Sequence, residues 1–182
     1  MNRAVFLDRD GVLNIPIFRD GRSYPPPTLE AFRLCEGAAS ACADLHAAGL
    51  LLVVVTNQPD VATGKQTPAV VDAMHARLRA QLPLTDIFAC FHTDAHGCAC
   101  RKPKPGMLKE AALRYDIDLQ HSFLVGDRRG DIGAGQAVNA CCYFIDYGYA
   151  EPSPEGAFVR VPDLRGAADH ILTRLASSHA QQ

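Results

Sequence analysis

The sequence carries no large excess of charge of either sign: Lys and Arg number 18 and Asp and Glu 20, a formal net charge of −2. A chain so balanced has no global positive field to draw in nucleic acid or an anionic membrane, and its basic residues are not interleaved with aromatic ones. Neither partner is expected. Long apolar runs are also missing. The longest, residues 50–55 and 140–145, fall far short of the roughly 20 residues that span a bilayer. No export signal is expected either, since Arg3, Asp8, Arg9 and Asp10 interrupt the first apolar stretch. Seven cysteines without such a signal point to a reducing, cytoplasmic setting, where clustered thiols bind metal more often than they pair. No internal repeat, heptad register or low-complexity block is present.

What remains is the balance of a folded core. Hydrophobic residues make up 48% and charged residues 21%, and 182 residues suit one domain over positions 1–182. Apolar strand signals at 4–7, 50–55, 87–91, 123–125 and 142–145 alternate with helical patterns at 38–48, 68–81, 106–115, 131–138 and 164–175. Alternating βαβα predicts an α/β fold, a doubly wound parallel sheet covered by helices on both faces. Residues 15–28 read as a long irregular loop, and the polar tail 177–182 is expected to fray.

Four segments carry chemistry. The first strand runs into Phe6-Leu7-Asp8-Arg9-Asp10-Gly11, so two carboxylates leave a buried strand at its carboxyl end, where open α/β sheets place ligands. Like charges that close need a cation or a shared proton, although Asp-Gly is also an ordinary turn. The second strand ends in Val55-Thr56-Asn57-Gln58, where a hydroxyl can hold a phosphoryl oxygen or simply cap the next segment. Arg101-Lys102-Pro103-Lys104-Pro105-Gly106 sets cations before a helix whose N-terminus also favours anions; a solvated basic loop is the alternative. Gly126-Asp127-Arg128-Arg129-Gly130-Asp131 adds carboxylates at i and i+4, with helix capping the other reading of Asp131.

In that order the motifs resemble those of the haloacid dehalogenase-like phosphohydrolases, over about residues 4–147. The resemblance implies that Asp8 is the nucleophile and Asp10 the acid/base. It implies that Thr56 and Lys102 hold phosphoryl oxygens, and that Asp8, Asp127 and the backbone carbonyl of Asp10 surround Mg²⁺, with Asp131 in support. The chemistry is consistent: a carboxylate attacking a phosphate monoester meets charge repulsion that a hard cation and a Lys offset. A covalent intermediate then divides one hard hydrolysis into two easier steps.

A further cluster reads C-x-H-x5-C-x-C through Cys90, His92, Cys98 and Cys100. Three thiolates and one imidazole fill the tetrahedral shell of a structural Zn²⁺ and leave no position for catalysis; reduced, unligated thiols are the alternative. The zinc loop is expected to position Arg101 and Lys102. His96 reads as a spare exposed residue, and Cys35, Cys42, Cys141 and Cys142 as small core hydrophobes.

With Arg-Lys-Pro behind it, the cluster is similar to that of the histidinol-phosphatase and heptose-bisphosphate phosphatase subfamily. Phe-Leu-Asp-Arg-Asp-Gly, Val-Val-Val-Thr-Asn-Gln and Cys-Arg-Lys-Pro-Lys-Pro-Gly-Met-Leu favour the heptose branch. The resemblance implies removal of the 7-phosphate from a heptose 1,7-bisphosphate, a small phosphorylated sugar, in the supply of activated heptose for surface polysaccharide. The short segment between His92 and Cys98 keeps histidinol phosphate or a broader sugar-phosphate activity open. So does Pro59-Asp60-Val61, where the heptose pattern has Ser-Gly-Ile. Thr-Asn-Gln also occurs in nucleic-acid 3′-phosphatases, against which the charge balance argues. A non-catalytic phospho-ligand module fits poorly with all of Asp8, Asp10, Thr56, Lys102 and Asp127 being in place.

Neither interval, Asp8 to Thr56 or Thr56 to Lys102, leaves room for a cap domain, so a capless site is expected. Selection then falls to loops 15–28, 58–66 and 90–101. Arg101 is the first candidate for the far end of the substrate, with Asn57, Gln58 and Arg19 as further contacts, and a monomer is expected.

Overall fold

The computed structural model describes residues 1–179; of the tail 177–182 expected to fray, 177–179 are helical and 180–182 lie outside the described residues. In chain order the elements are β1 (Ala4–Leu7), β2 (Ile17–Arg19), β3 (Arg22–Tyr24), α1 (Ala38–Ala47), β4 (Leu51–Asn57), α2 (Pro68–Gln81) and β5 (Asp86–Cys90). After a 3-10 turn at Asp94–His96 come α3 (Gly106–Tyr115), β6 (Phe123–Gly126), α4 (Arg129–Gln136), β7 (Cys141–Ile145), β8 (Val159–Val161) and α5 (Leu164–His179).

Six strands form one parallel sheet in the order β5-β4-β1-β6-β7-β8. Side chains alternate across it, as the period of two requires. Val5 and Leu7 of β1 face the layer of α1, α2 and α5, whereas Ala4 and Phe6 face α3 and α4. All four β1 residues are buried because helices cover both faces, and that is why the strand reads as an unbroken apolar run. From β1 the chain moves outward through β4 to β5, then returns to the other side of β1 at β6 and moves outward again. That reversal opens a crevice at the carboxyl ends of β1, β4 and β6. No helix among the described residues is long and apolar enough to cross a membrane.

Several expectations need correction. Residues 15–28 are not wholly irregular: β2 and β3 pair as an antiparallel hairpin, Phe18 opposite Ser23. Its turn is Asp20-Gly21, both at positive φ (52° and 71°), a two-residue signal easily overlooked between three-residue strands. Strand β8 is equally short and leaves no more of a pattern. Strand β4, by contrast, ends at Asn57, so Thr56 and Asn57 close the strand as the sequence indicates. Helix α4 begins at Arg129, two residues earlier than its apolar pattern suggests, which places Asp131 in its first turn. Helix α5 extends past Leu175 to His179.

Candidate active site

The crevice gathers the ends of three neighbouring strands. Asp8 follows β1, its N–H donating to the Val125 carbonyl of β6 at 3.0 Å. Thr56 lies within β4, and Asp127 follows β6. Two glycines let these ends come close. Gly11 has φ +90°, and a Cβ there would sit 2.0 Å from Asp127 Oδ2. A Cβ on Gly126 would sit 2.2 Å from the Cβ of Asp131. Any larger residue at either position would force the carboxylates apart.

Lys102 reaches into this cluster from the segment before α3. Its Nζ donates to Asp8 Oδ1 at 2.7 Å and to the Val55 carbonyl at 2.6 Å, and pairs with Asp131 Oδ1 at 2.5 Å. Only 5% of the residue is exposed. Asn57 fixes its backbone from both sides: the amide donates to the Lys102 carbonyl, and the Asn57 side-chain oxygen accepts from the Lys102 N–H, each at 3.1 Å. Asp131 also caps α4, accepting from the Arg128 N–H at 3.0 Å. The two readings of Asp131 are therefore compatible.

Asp10 is held separately. The wholly buried Arg9 forks onto its carboxylate, Nη2 at 2.9 Å from Oδ2 and 3.1 Å from Oδ1. The Asn14 amide donates to Oδ1 at 2.9 Å and the Gln58 amide to Oδ2 at 2.7 Å. Gln58 Nε2 also donates to Thr56 Oγ1 at 2.9 Å. Gln58 therefore spends its amide on two neighbouring site residues and does not line the cavity, in contrast to its expected place at the substrate.

That cavity has a volume of about 380 Å³ and is lined by Asp8, Asp10, Asn57 and Lys102, by Ser23 and Tyr24 of the hairpin, and by Arg101, Arg128 and Arg129. Arg101 is paired with Asp94 at 2.7 Å and with the His92 carbonyl at 3.3 Å. Arg19 lies on the exposed strand β2 with its guanidinium 5.0 Å over the Tyr24 ring, so it meets the cavity only through that ring. Thr56 is buried beneath the cavity wall. Arg9, Asn14, Arg128 and Arg129 are site residues that the sequence motifs do not single out. Their signal is adjacency, because each lies within four residues of a motif carboxylate.

Crowded acids dominate the electrostatics. Burial raises Asp8 to about 6, with Lys102 opposing and Asp131 adding to the rise. Asp127 is pushed well above the carboxylate range by burial and by the charges of Asp8 and Asp131. Burial opposes the charge on Lys102, but Asp131 and Asp8 outweigh it and hold the ammonium above its usual value. Oxygens of Asp8, Asp127 and Asp131 lie within 4.8 Å of one another, and Asp127 Oδ1 is buried with no hydrogen-bond partner. An orphaned oxygen among buried hard donors fits Mg²⁺, a divalent ion that takes oxygen ligands.

The other cluster sits beside Lys102. Sγ of Cys100 lies 3.1 Å from that of Cys90 and 3.3 Å from that of Cys98, and Cys90 and Cys98 are 3.7 Å apart. His92 Nδ1 is 3.4 Å from Cys100 Sγ and 3.6 Å from Cys90 Sγ. Zn–S bonds of about 2.3 Å make a tetrahedral edge of roughly 3.8 Å, so a four-ligand ion fits with small adjustments. His96, read as a spare residue, instead accepts the Thr93 N–H at 3.2 Å and closes the 3-10 turn.

A sequence profile described as haloacid dehalogenase-like hydrolase matches residues 22–136, and a second, HAD-hydrolase-like, matches 99–176. The chain belongs to the haloacid dehalogenase-like hydrolases. A relative from Pseudomonas putida, D-glycero-beta-D-manno-heptose-1,7-bisphosphate 7-phosphatase, is 40% identical over 84% of this chain and 87% of its own length. The enzyme of the same name from Pseudomonas aeruginosa is 37% identical, covering 94% and 99%. Among solved structures, D,D-heptose 1,7-bisphosphate phosphatase from B. bronchiseptica, complexed with magnesium and phosphate, superposes with a TM-score of 0.82. It is 30% identical, over 94% of this chain and 99% of that one. This haloacid dehalogenase-like chain thus shares its fold, over 94% of its length, with a structure complexed with magnesium and phosphate.

The raised acids set a pH dependence. In metal-free protein Asp8 keeps its proton to about pH 6, whereas the unfolded chain loses it near 3.8. Across that interval the unfolded state binds fewer protons, so stability falls as pH rises. Thermal melts should therefore show Mg²⁺ raising the melting temperature more at about pH 7 than at about pH 5. Asp127→Asn should raise the metal-free melting temperature and lose the Mg²⁺ response. An equal Mg²⁺ response at both pH values, or one retained by Asp127→Asn, would contradict this electrostatic picture.

Proposed function

We propose that the protein is a Mg²⁺-dependent phosphomonoesterase that removes the 7-phosphate from D-glycero-D-manno-heptose 1,7-bisphosphate. The observation that carries the reading is Asp8: a carboxylate at the end of β1, 2.7 Å from a buried ammonium, in a cavity with three guanidinium groups. Five carboxylates (Asp8, Asp10, Asp60, Asp131 and Glu151) share that lining with Lys102 and the guanidinium groups. With Mg²⁺ held among them the cavity would suit a small anionic substrate, and the names of the relatives supply its identity. The setting is cytoplasmic, in line with seven unpaired cysteines.

Asp8 would attack phosphorus with a carboxylate oxygen, breaking the bond from phosphorus to the sugar oxygen and forming an aspartyl-phosphate. Asp10 would give a proton to the departing sugar oxygen. It would then take one from a water that attacks the same phosphorus, freeing Asp8 and inorganic phosphate. Lys102 would hold the non-bridging oxygens, joined by the Thr56 hydroxyl if the phosphoryl group settles deep enough to reach it beneath the cavity wall. Asp8, Asp127 and the backbone carbonyl of Asp10 would hold Mg²⁺, which supplies positive charge against the phosphoryl oxygens. The fork from Arg9, with Asn14 and Gln58, keeps Asp10 in one orientation and clear of Lys102. Cys90, His92, Cys98 and Cys100 would hold Zn²⁺, fixing the turn from which Asp94 and the His92 carbonyl aim Arg101.

Phosphate release from a panel of sugar bisphosphates, sugar monophosphates and histidinol phosphate tests the substrate. The 1,7-bisphosphate should show a much higher kcat/KM than heptose 7-phosphate, and Arg101→Ala should erase most of that advantage, because a guanidinium binds a remote phosphate by charge-assisted hydrogen bonds. Equal kcat/KM for the two sugars would reject the heptose reading, and a preference for histidinol phosphate would replace it.

Elemental analysis should find about one Zn²⁺ per chain, as a filled four-ligand shell requires. Cys98→Ser should lose it, with a lower melting temperature and weaker turnover. A zinc-free protein of unchanged activity and melting temperature would remove the positioning role.

A further inference from the structure

We infer that Tyr149 is a positioning residue for the cation site: it binds one oxygen of Asp127 so that the other faces the metal, and it ties that site to the β2–β3 hairpin. The inference rests on the reading of Asp127 as a Mg²⁺ ligand. Tyr149 lies in the segment that follows β7, outside every motif of the sequence. Its hydroxyl donates to Asp127 Oδ2 at 2.5 Å, while Asp127 Oδ1 is buried and unpartnered. A carboxylate free to turn can offer either oxygen to a cation. One bound to a hydroxyl offers a single oxygen in a single direction, and partners of this kind govern metal affinity.

The ring cannot easily leave. Tyr147 stacks on it at 5.6 Å, Phe18 of β2 packs at 5.3 Å, and the Arg128 guanidinium lies 5.6 Å over its face. Tyr147 is itself anchored, its hydroxyl donating to the Gly11 carbonyl at 2.9 Å. Behind the ring the same segment grips the hairpin. The Ala150 N–H donates to the Gly21 carbonyl at 2.9 Å, and Arg128 joins Glu151 at 2.9 Å to the Ser23 carbonyl at 2.6 Å. Ser23 and Tyr24 line the cavity. A displacement of the hairpin by substrate therefore reaches the metal ligand through one aromatic ring.

Tyr149→Phe keeps the ring and removes the hydroxyl. By calorimetric titration it should bind Mg²⁺ about 10–100-fold more weakly, with kcat at saturating Mg²⁺ little changed. A second readout needs no variant. The chain has five Tyr and no Trp, so its ultraviolet emission comes from tyrosine. A phenol bonded to a carboxylate is quenched, so Mg²⁺ drawing charge from Asp127 should raise the emission of the wild type, and Tyr149→Phe should lack that rise. Should Tyr149→Phe not fold, the wild-type emission alone decides. Unchanged Mg²⁺ affinity in Tyr149→Phe, or wild-type emission indifferent to saturating Mg²⁺, overturns the inference. Asp127→Asn separates the two levels. If it loses Mg²⁺ while Tyr149→Phe does not, only the role of Tyr149 falls; if it binds Mg²⁺ normally, the ligand reading falls with it.

Discussion

The ammonium of Lys102, buried between Asp8 and Asp131, is the interaction on which the site depends. Three carboxylates gathered at the ends of β1 and β6 repel one another, and without a cation among them they could not stay together ionised. One lysine neutralises part of that charge and is itself neutralised in return. Removing either partner of such a buried pair leaves an uncompensated charge, at about 3–5 kcal/mol. With all three ionised, two negative charges remain in excess, and the unpartnered Asp127 Oδ1 lies among them. The charge balance of the site and the divalent ion proposed for it thus have one physical origin.

Each neighbouring device serves that arrangement. The Asn57 clamp holds the Lys102 backbone on the end of β4, and the Cys90–Cys100 segment leads directly into it. Gly11 and Gly126 give up side chains so that two loops can touch. Arg9 separates Asp10 from the cluster by binding it first. The acids that would carry the chemistry are accordingly held by different cations, Asp8 by Lys102 and Asp10 by Arg9. These two cations keep apart groups that differ in their proposed tasks. Such crowding lowers stability, the usual trade at a functional site.

The layered sheet and its five main helices are legible in the sequence because a buried parallel strand leaves a continuous apolar run and a covering helix leaves a period near 3.6. The carboxylates, Thr56 and Lys102 are legible because each ends such a run or precedes such a helix. Strands of three residues leave no pattern, so the β2–β3 hairpin reads as loop although Asp20-Gly21 names its turn. Contacts between distant segments leave no trace at all. Nothing near Tyr149 announces Asp127, and nothing near Gln58 says that its amide faces Asp10 and Thr56 rather than the cavity. Arg101 stands out beside Lys102, but Arg128 and Arg129, which line the same cavity, are hidden by the helix start they occupy.

The central claim is that Asp8 becomes covalently bonded to phosphorus. The stereochemical course at a phosphorothioate monoester, made chiral with two oxygen isotopes and hydrolysed in water of the third, tests it most directly. Two successive in-line displacements, first by Asp8 and then by water, return the original configuration. Retention at phosphorus in the released thiophosphate is the predicted result. Inversion would mean a single displacement by water, and Asp8 would then be a metal ligand and nothing more.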